Sequence, residues 1–464
     1  MNDPATPAAA QHFWQSDRGL FLTVTGLAFL TRLPFLGNGY GVDGDAWRLV
    51  RSGQTLWSSG DYHPSRLPGY PIPEAAMGVL AHGGPWLANG VTALLSALAV
   101  AFFALVMQRL GNRYAALAAL AFALVPIVYV GSVQSMDYAW ALAFAMAALY
   151  ALVSERPLWA GVLLGLAGGC RVTSLSLLLP FATYLLWRPR AAGTGRALVR
   201  LVAPALLVFL AVYAVVLISL GGDVLPTLTP TGRTWLETLI RGTFGVWDVL
   251  GVLALAGALV ATAIVALTRG AAAAYDGRGY GKVVAMSALG IAVYALIYLR
   301  APLDPSYLIP AVPFVLLLLA RIPRQALAAL CVVLVVSPFV FTLKDAPAGS
   351  RLPRSVGVRG RIFVDRARRA ATLKSVKQIE ASGRRVAAPG LLVTGYYKPW
   401  LDVRDGGRVG ELTVVMTITP EQLAAAQAAG MPVWYLPKVK DYVEHGSGVR
   451  LTAPAAQPLD LAAP

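Results

Sequence analysis

The chain has 464 residues, of which 57% are hydrophobic and 13% are charged, and its formal net charge is +16. Soluble domains carry about 25% charged residues, so this composition excludes an ordinary soluble protein. Apolar runs of about 20 residues recur, and each can cross a hydrocarbon core of about 30 Å. The chain is therefore predicted to be an α-helical polytopic membrane protein. The positive charge indicates cytoplasmic loops and lipid headgroups, because no basic aromatic platform points to nucleic acid.

In chain order, a polar cytoplasmic tail at residues 1–18 precedes a first span at about 19–37. A polar outer loop follows at 38–73, and a short surface helix is predicted at about Ala75–His82. The later spans are predicted at about residues 85–108, 114–133, 201–219, 247–267, 283–299, 306–320 and 325–342, with another that ends at Val153.

Residues 158–187 form either one overlong span or a hairpin of two short helices broken at Gly168–Arg171. Arginines concentrate on the cytoplasmic side of a membrane protein. Only the hairpin places the arginines between residues 188 and 200 on the same side as Arg109 and Arg156. The prediction is then about eleven crossings in a transmembrane domain at 19–343, with the N-terminus inside and the C-terminus outside.

The composition changes after Leu343. A basic linker at 344–370, suited to anionic headgroups, leads to a region at 371–452 in which helix and strand alternate. Thr419–Ala429 has helix start and stop signals, with Thr419 as N-cap and Pro420 in the first position. Strands are predicted at Leu391–Tyr396, Leu412–Thr417 and Val433–Leu436. We expect a small extracytoplasmic α/β domain, accessory rather than catalytic, and a disordered tail at 453–464.

The loop at 38–73 is richer in groups that can do chemistry than any other part of the first 340 residues. Asp43 and Asp45 could chelate Mg²⁺ or Mn²⁺, or one of them could be a general base. Alternatively, the Asp-Gly-Asp sequence is a turn whose side chains bond local backbone. The arginines that could bind phosphate by a planar fork, or simply lie solvated on an amphipathic loop helix, are Arg48, Arg51 and Arg66.

Two further arginines lie in or near apolar spans, where a charge is costly and commonly functional. Arg171 is expected to contact a carrier phosphate, the alternative being an anchor for the hairpin turn. Arg300 is either a similar contact or a side chain that snorkels at a span end. His63 could bind a metal or a sugar, although a single loop histidine usually does neither.

The order of several motifs resembles the GT-C glycosyltransferases, in particular the branch of protein O-mannosyltransferases and aminoarabinose transferases. That resemblance covers about residues 20–345. It rests on Arg32, the acidic pair Asp43 and Asp45, Ser58–Tyr62, Leu67–Pro71, Asp137, Gly165–Thr173 and Tyr307–Pro313. The family often has Asp-Glu in its first loop, whereas Ala46 follows Asp45 here, which leaves open which aspartate is catalytic.

The resemblance implies transfer of a sugar, with inversion, from a polyprenyl-phosphate-linked donor to a hydroxyl of a glycan, lipid or protein. The reaction would take place at the outer face of the bacterial cytoplasmic membrane, among membrane lipids. The implied catalytic residues are Asp43, Asp45 and Asp137. The implied substrate or phosphate contacts are Arg32, Arg48, Arg51, His63, Arg66, Arg171, Arg300 and Tyr307.

Two other functions remain open. A transporter or lipid flippase often shows repeated halves and broken helices that meet at the bilayer midplane. This chain shows no internal repeat, and its polar groups cluster at one face. An O-antigen ligase or polymerase also handles lipid-linked saccharides, but such proteins usually carry their functional loop late in the chain.

Overall fold

The computed structural model describes residues 16–112, 114–187, 193–224, 233–270, 280–343 and 355–461. The predicted tail up to residue 15 and the linker from 344 to 354 lie outside these ranges. The helices are Asp17–Leu30 (α1), Gly44–Ser59 (α2), Pro71–Leu80 (α3), Gly84–Arg109 (α4), Ala115–Ala123 (α5), Pro126–Gly131 (α6), Asp137–Val153 (α7), Pro157–Cys170 (α8), Leu178–Leu186 (α9), Thr194–Leu220 (α10), Trp235–Arg269 (α11), Gly281–Arg300 (α12), Val312–Leu319 (α13), Arg324–Val340 (α14), Arg361–Gly383 (α15), Lys398–Asp405 (α16), Pro420–Ala428 (α17) and Lys440–Ser447 (α18).

The strands are short and form two sheets. They are Thr342–Leu343 (β1), Val356–Gly357 (β2), Gly390–Val393 (β3), Arg408–Val409 (β4), Leu412–Val415 (β5), Val433–Tyr435 (β6) and Gln457–Pro458 (β7). β1 and β2 form an antiparallel pair, and the other five strands form a sheet in the order β4-β5-β3-β6-β7. In that sheet β3 pairs in parallel with β5 and β6, β6 pairs in parallel with β7, and β4 is antiparallel to β5.

The chain divides into two compact units. The helical unit comprises Met1–Leu36, Leu67–Pro73 and Asn89–Asp365. The loop–sheet unit comprises Gly37–Arg66, Glu74–Ala88 and Arg366–Pro464. Most of the predicted first loop, residues 38–66, therefore belongs to the same unit as the C-terminal sheet, whereas the sequence analysis grouped the whole loop with the transmembrane domain.

Most predicted spans contain a helix, but the span at 114–133 is divided into α5 and α6, and the α-helix within 306–320 is the short α13. Within the described ranges, Pro71–Arg109 and three single helices, α10, α11 and α12, are long and apolar enough to cross a membrane. Several shorter apolar helices accompany them. The sequence left open whether residues 158–187 form one long span or two short helices, and the structure shows that the helix is interrupted there. α8 ends at Cys170, and Arg171 adopts extended backbone with φ −157° and ψ 112°.

Glycines allow α8 and α10 to pack closely in the helical unit. A Cβ atom at Gly161 would lie 2.3 Å from the carbonyl oxygen of Leu201, and one at Gly165 would lie 2.7 Å from that of Ala205. Gly161 and Gly165 have the four-residue spacing by which membrane helices bring their backbones together. This contact fixes the helix that leads directly into Arg171.

Two predictions about the C-terminal part of the chain differ from the structure. The segment at 344–370 was expected to be a linker, but its last part belongs to a helix, because α15 begins at Arg361. The tail at 453–464 was expected to be disordered, but β7 adds a strand to the sheet beside β6. The reason is that Leu459 and Ala456 are buried, so this end of the chain contributes apolar contacts. The predicted helix at Thr419 is confirmed, with a capping box between Thr419 and Gln422.

Candidate active site

The first-loop helix α2 begins at the acidic pair. Asp43 is its N-cap, and the Asp43 side chain accepts a hydrogen bond from the Asp45 backbone N–H at 3.0 Å. The helix ends at Gly60, whose φ of 79° closes it in the left-handed conformation. Ala46, Trp47 and Val50 turn their side chains into the unit's core. Asp43 therefore has the local backbone role that the sequence left open, and Asp45 is placed one residue inside the helix.

Asp45 lies between two arginines. Its Oδ1 accepts from Arg48 Nη1 at 2.8 Å, and its Oδ2 accepts from Arg66 Nη1 at 2.7 Å. The Asp45 side chain is 25% exposed, so the cluster reaches solvent. Together the three side chains carry a net charge of +1, which suits an anionic ligand such as phosphate. We call Asp45, Arg48 and Arg66 the first-loop cluster.

Glu74 secures the segment that carries Arg66. Although it is fully buried, it accepts hydrogen bonds from the Tyr62 hydroxyl and from both the backbone N–H and the hydroxyl of Ser65, the latter two at 2.7 and 2.6 Å. α2 and α3 approach closely here, because a Cβ at Gly53 would lie 2.2 Å from the Glu74 carbonyl oxygen. Glu74 is not among the residues predicted from the sequence, and its available signal was a single carboxylate within the apolar stretch Pro71–Leu80.

We expect Glu74→Ala to loosen this segment. The Tyr62 hydroxyl and the Ser65 N–H would lose their acceptor in a buried place, which costs about 1–3 kcal/mol of stability. Thermal unfolding of the purified protein, with limited proteolysis around residues 60–66, measures the effect. Asp61 is exposed and supplies a matched control, since Asp61→Ala deletes a carboxylate that is already in solvent. Equal melting temperatures for the two variants would show that Glu74 does not hold the segment.

A buried ion pair lies in the helical unit. Asp137, in the first turn of α7, is fully buried, and its Oδ2 accepts a hydrogen bond from Arg171 Nη1. The Arg171 guanidinium carbon lies 4.0 Å from the ring centroid of Tyr138, 5.0 Å from that of Tyr307 and 5.7 Å from that of Tyr70. Three predicted residues, Asp137, Arg171 and Tyr307, are thus brought together. Tyr70 and Tyr138 complete an aromatic cage that the sequence did not predict.

Arg32 occupies a separate place in the helical unit. It is fully buried, and its guanidinium donates to Ser132 Oγ at 2.8 Å, to the Ala123 carbonyl at 2.9 Å and to the Ala28 carbonyl. Ala123 is the last residue of α5, so Arg32 supplies a donor to a carbonyl that a helix end leaves without one. These contacts lie within the protein, and the phosphate contact that the resemblance implies for Arg32 stays a prediction.

The other predicted contacts are dispersed. Arg51 and His63 are exposed in the loop–sheet unit, and the His63 carbonyl accepts from Ser52 Oγ at 2.5 Å. Arg300 is exposed at the last residue of α12.

The structure also bears on the residues that could hold a metal. Within the described ranges, no group of three or more His, Cys, Asp and Glu side chains is placed to hold a metal ion. Both carboxylate oxygens of Asp45 contact arginines, and Asp43 caps α2. These contacts do not fit the chelating pair that the sequence suggested, and dependence on Mg²⁺ or Mn²⁺ stays a prediction.

The apolar helices and the small C-terminal sheet have the fold seen in solved structures of ArnT, which agrees with the predicted fold class. Among solved structures, ArnT from Cupriavidus metallidurans bound to undecaprenyl phosphate matches with a TM-score of 0.54 at 13% identity, over 88% of this chain and 87% of that one. The apo state of ArnT from the same organism matches with a TM-score of 0.54 at 12% identity, over 89% and 88%. No family model and no curated protein matches the chain.

Proposed function

We propose that this chain transfers a sugar from a polyprenyl-phosphate-linked donor to an acceptor hydroxyl, outside the cytoplasmic membrane. The observation that carries the proposal is the fold shared, over most of both chains, with an ArnT structure that holds undecaprenyl phosphate. The first-loop cluster supports it, because it combines a carboxylate with two guanidiniums at a partly exposed place.

The reaction is a single displacement at the anomeric carbon. The acceptor oxygen forms a bond to that carbon, and the bond between the carbon and the phosphate oxygen breaks, which inverts the configuration. The acceptor proton goes to a carboxylate, and the carrier leaves as a polyprenyl phosphate. General base catalysis by a positioned carboxylate contributes about 10² to 10⁴ in rate. Arginines stabilise the charge that develops on the leaving phosphate.

We assign the general base to Asp45. Asp43 already accepts the backbone N–H that begins α2, and Asp137 is fully buried against Arg171. Asp45 is the predicted carboxylate that is both partly exposed and paired with two guanidiniums. Arg48 and Arg66 hold its two oxygens in a fixed orientation, and their positive charge is available to an incoming phosphate.

The Asp137–Arg171 pair is the part of the helical unit that we propose to serve the binding of the donor. Arg171 contacts three tyrosine rings, of which Tyr70 belongs to the Pro-rich segment at the end of the first loop. Tyr213 on α10 donates a hydrogen bond to the Pro68 carbonyl at 2.7 Å, which anchors the same segment to the helical unit. We propose that the pair and its cage position this segment for the carrier.

A deletion strain tests the proposed function. Loss of the protein should cause a polyprenyl-phosphate-linked sugar to accumulate, while one sugar disappears from a surface glycan, lipid or protein. Mass spectrometry of the lipid-linked sugars and of the cell envelope measures both. Restoration by the wild-type gene but not by an Asp45→Asn variant links the phenotype to the site. Unchanged lipid-linked sugars and an unchanged envelope would contradict the proposal.

The proposed location makes a topological prediction. Ser59 and Ser447 both belong to the loop–sheet unit, so we expect both on the outer side of the membrane. Single cysteines introduced at these positions should react in intact cells with a reagent that does not cross the membrane. Labelling at Ser59→Cys without labelling at Ser447→Cys would contradict the eleven-crossing arrangement.

A further inference from the structure

A cavity of about 340 Å³ lies within the loop–sheet unit. Its lining includes Asp43, Arg48, Tyr396, Trp400, Met416 and Tyr442. Small-molecule sites commonly have volumes of about 300–1,000 Å³ and combine apolar walls with a few placed polar groups. The cavity is therefore large enough for a small ligand.

The cavity lies at the carboxyl ends of parallel strands. Tyr396 is three residues after the end of β3, and Met416 directly follows β5. Tyr442 is in α18, on the chain segment that follows β6. In open α/β sheets, ligands bind in the crevice outside the carboxyl ends of the strands. The position of the cavity at the strand ends thus agrees with a role in ligand binding.

Aromatic rings form an exposed wall of the cavity. Tyr396 is 43% exposed and Tyr442 is 51% exposed, and their ring centroids lie 5.8 Å apart at an angle of 71°. Trp400 is nearly buried and lies 5.8 Å from Trp47 of α2, measured between ring centroids. Burial and the neighbouring Tyr397 raise the pKa of Tyr396 to about 12. Its phenol, like any tyrosine phenol at pH 7, is neutral and can donate a hydrogen bond.

The charged groups that line the cavity balance each other. The Asp43 carboxylate and the Arg48 guanidinium contribute opposite charges to the lining. A ligand rich in hydroxyl groups can bond to a carboxylate, a guanidinium and a phenol together, and its C–H face can pack against aromatic rings. This combination of balanced charges and aromatic rings suits a neutral saccharide.

Arg48 connects the cavity with the proposed base. Its side chain lines the cavity, while its Nη1 bonds to Oδ1 of Asp45. We propose that the cavity binds a sugar ring of the acceptor, so that an acceptor hydroxyl lies beside Asp45. The assignment of this ring to the acceptor rests on the proposed glycosyl transfer.

Saturation-transfer NMR with methyl glucopyranoside, methyl mannopyranoside and methyl N-acetylglucosaminide tests the proposal. The protein is held in nanodiscs, because sugar-based detergents would compete. We expect saturation of the C–H protons of at least one pyranoside by the wild type. Removing one aromatic wall, as Tyr442→Ala or Tyr396→Ala, should reduce that signal about three- to tenfold. Tyr396→Phe keeps the ring and should retain most of the signal.

Met431 provides the matched control, since it is 40% exposed in the same unit and is not in the cavity lining. Met431→Ala should keep the wild-type signal, and the melting temperature of each variant verifies that it is folded. Binding of undecaprenyl phosphate, followed by native mass spectrometry, should be unchanged in all these variants. Absence of saturation with every pyranoside, or equal saturation in Tyr442→Ala, overturns the sugar site. Loss of undecaprenyl phosphate binding in the tyrosine variants would instead assign the cavity to the donor.

The two proposals fail in different ways. If the wild type binds pyranosides but releases no carrier phosphate from a lipid-linked sugar, then the cavity is a sugar site and the proposed transfer is wrong. If the wild type releases carrier phosphate but the tyrosine variants bind pyranosides normally, then the transfer stands and the cavity assignment is wrong.

Discussion

Asp45→Asn should lower turnover by about 10² to 10⁴, because the amide keeps the shape of the carboxylate but cannot accept the acceptor proton. The affinity for undecaprenyl phosphate should change little, since Arg48 and Arg66 keep their charges. A loss of turnover without a loss of binding is the signature of an interaction made only in the transition state. The measurement combines steady-state turnover with the donor affinity of the purified protein.

Asp43→Asn is the matched control for this prediction. Asn is as good an N-cap as Asp, and its amide can still bond to a sugar hydroxyl in the cavity, so the variant should fold normally and retain most of its turnover. Asp43→Ala removes the cap and should cost about 0.5–2 kcal/mol of stability. If Asp43→Asn loses turnover and Asp45→Asn keeps it, then the roles of the two carboxylates are reversed. If only Asp137→Asn loses turnover, the reactive carboxylate belongs to the helical unit.

Arg171→Ala should destabilise the protein strongly. The variant leaves the fully buried Asp137 carboxylate without its cation, and breaking a buried pair in this way typically costs about 3–5 kcal/mol. We expect a lowered melting temperature and a smaller yield of folded protein after extraction. Arg300→Ala is the control, since Arg300 is exposed at the end of α12.

A double variant separates charge pairing from a direct contact with substrate. Asp137→Leu combined with Arg171→Met replaces both charges by apolar groups and should recover most of the stability lost in Arg171→Ala. If the double variant is stable but no longer binds undecaprenyl phosphate, Arg171 contacts the carrier, as the sequence suggested. A melting temperature for Arg171→Ala equal to that of the wild type would show that the pair contributes nothing to stability.

The helical part of the fold could be predicted from sequence because its signal is local. Apolar runs mark the spans, and the glycines before Arg171 mark the interruption after α8. The capping residues Thr419 and Pro420 locate the start of α17. Each of these features depends on residues that are close together along the chain.

The candidate site was only partly predictable, because its contacts join distant residues. The sequence identified Asp45, Arg48 and Arg66 as candidates but not the pairing of both Asp45 oxygens. It placed the first loop and the C-terminal residues in separate domains, whereas Trp47 packs near Trp400 in one unit. Nothing near Trp47 in the sequence indicates a partner more than 350 residues away.

The flippase alternative makes a different prediction from the transferase. A flippase moves an intact lipid-linked sugar across the bilayer, so no bond to phosphate breaks. A transferase breaks that bond and releases the carrier, with or without movement between leaflets. The two functions are therefore distinguished by the chemical fate of the donor.

The most direct measurement uses the purified protein in vesicles that contain a polyprenyl-phosphate-linked sugar, with cell-envelope acceptor added. The account predicts one polyprenyl phosphate released for each sugar transferred, with inverted anomeric configuration in the product, and a greatly reduced rate for Asp45→Asn. Thin-layer chromatography of the lipids and NMR of the product measure both. Movement of the intact donor between leaflets without release of polyprenyl phosphate, or release at the wild-type rate by Asp45→Asn, would contradict the account.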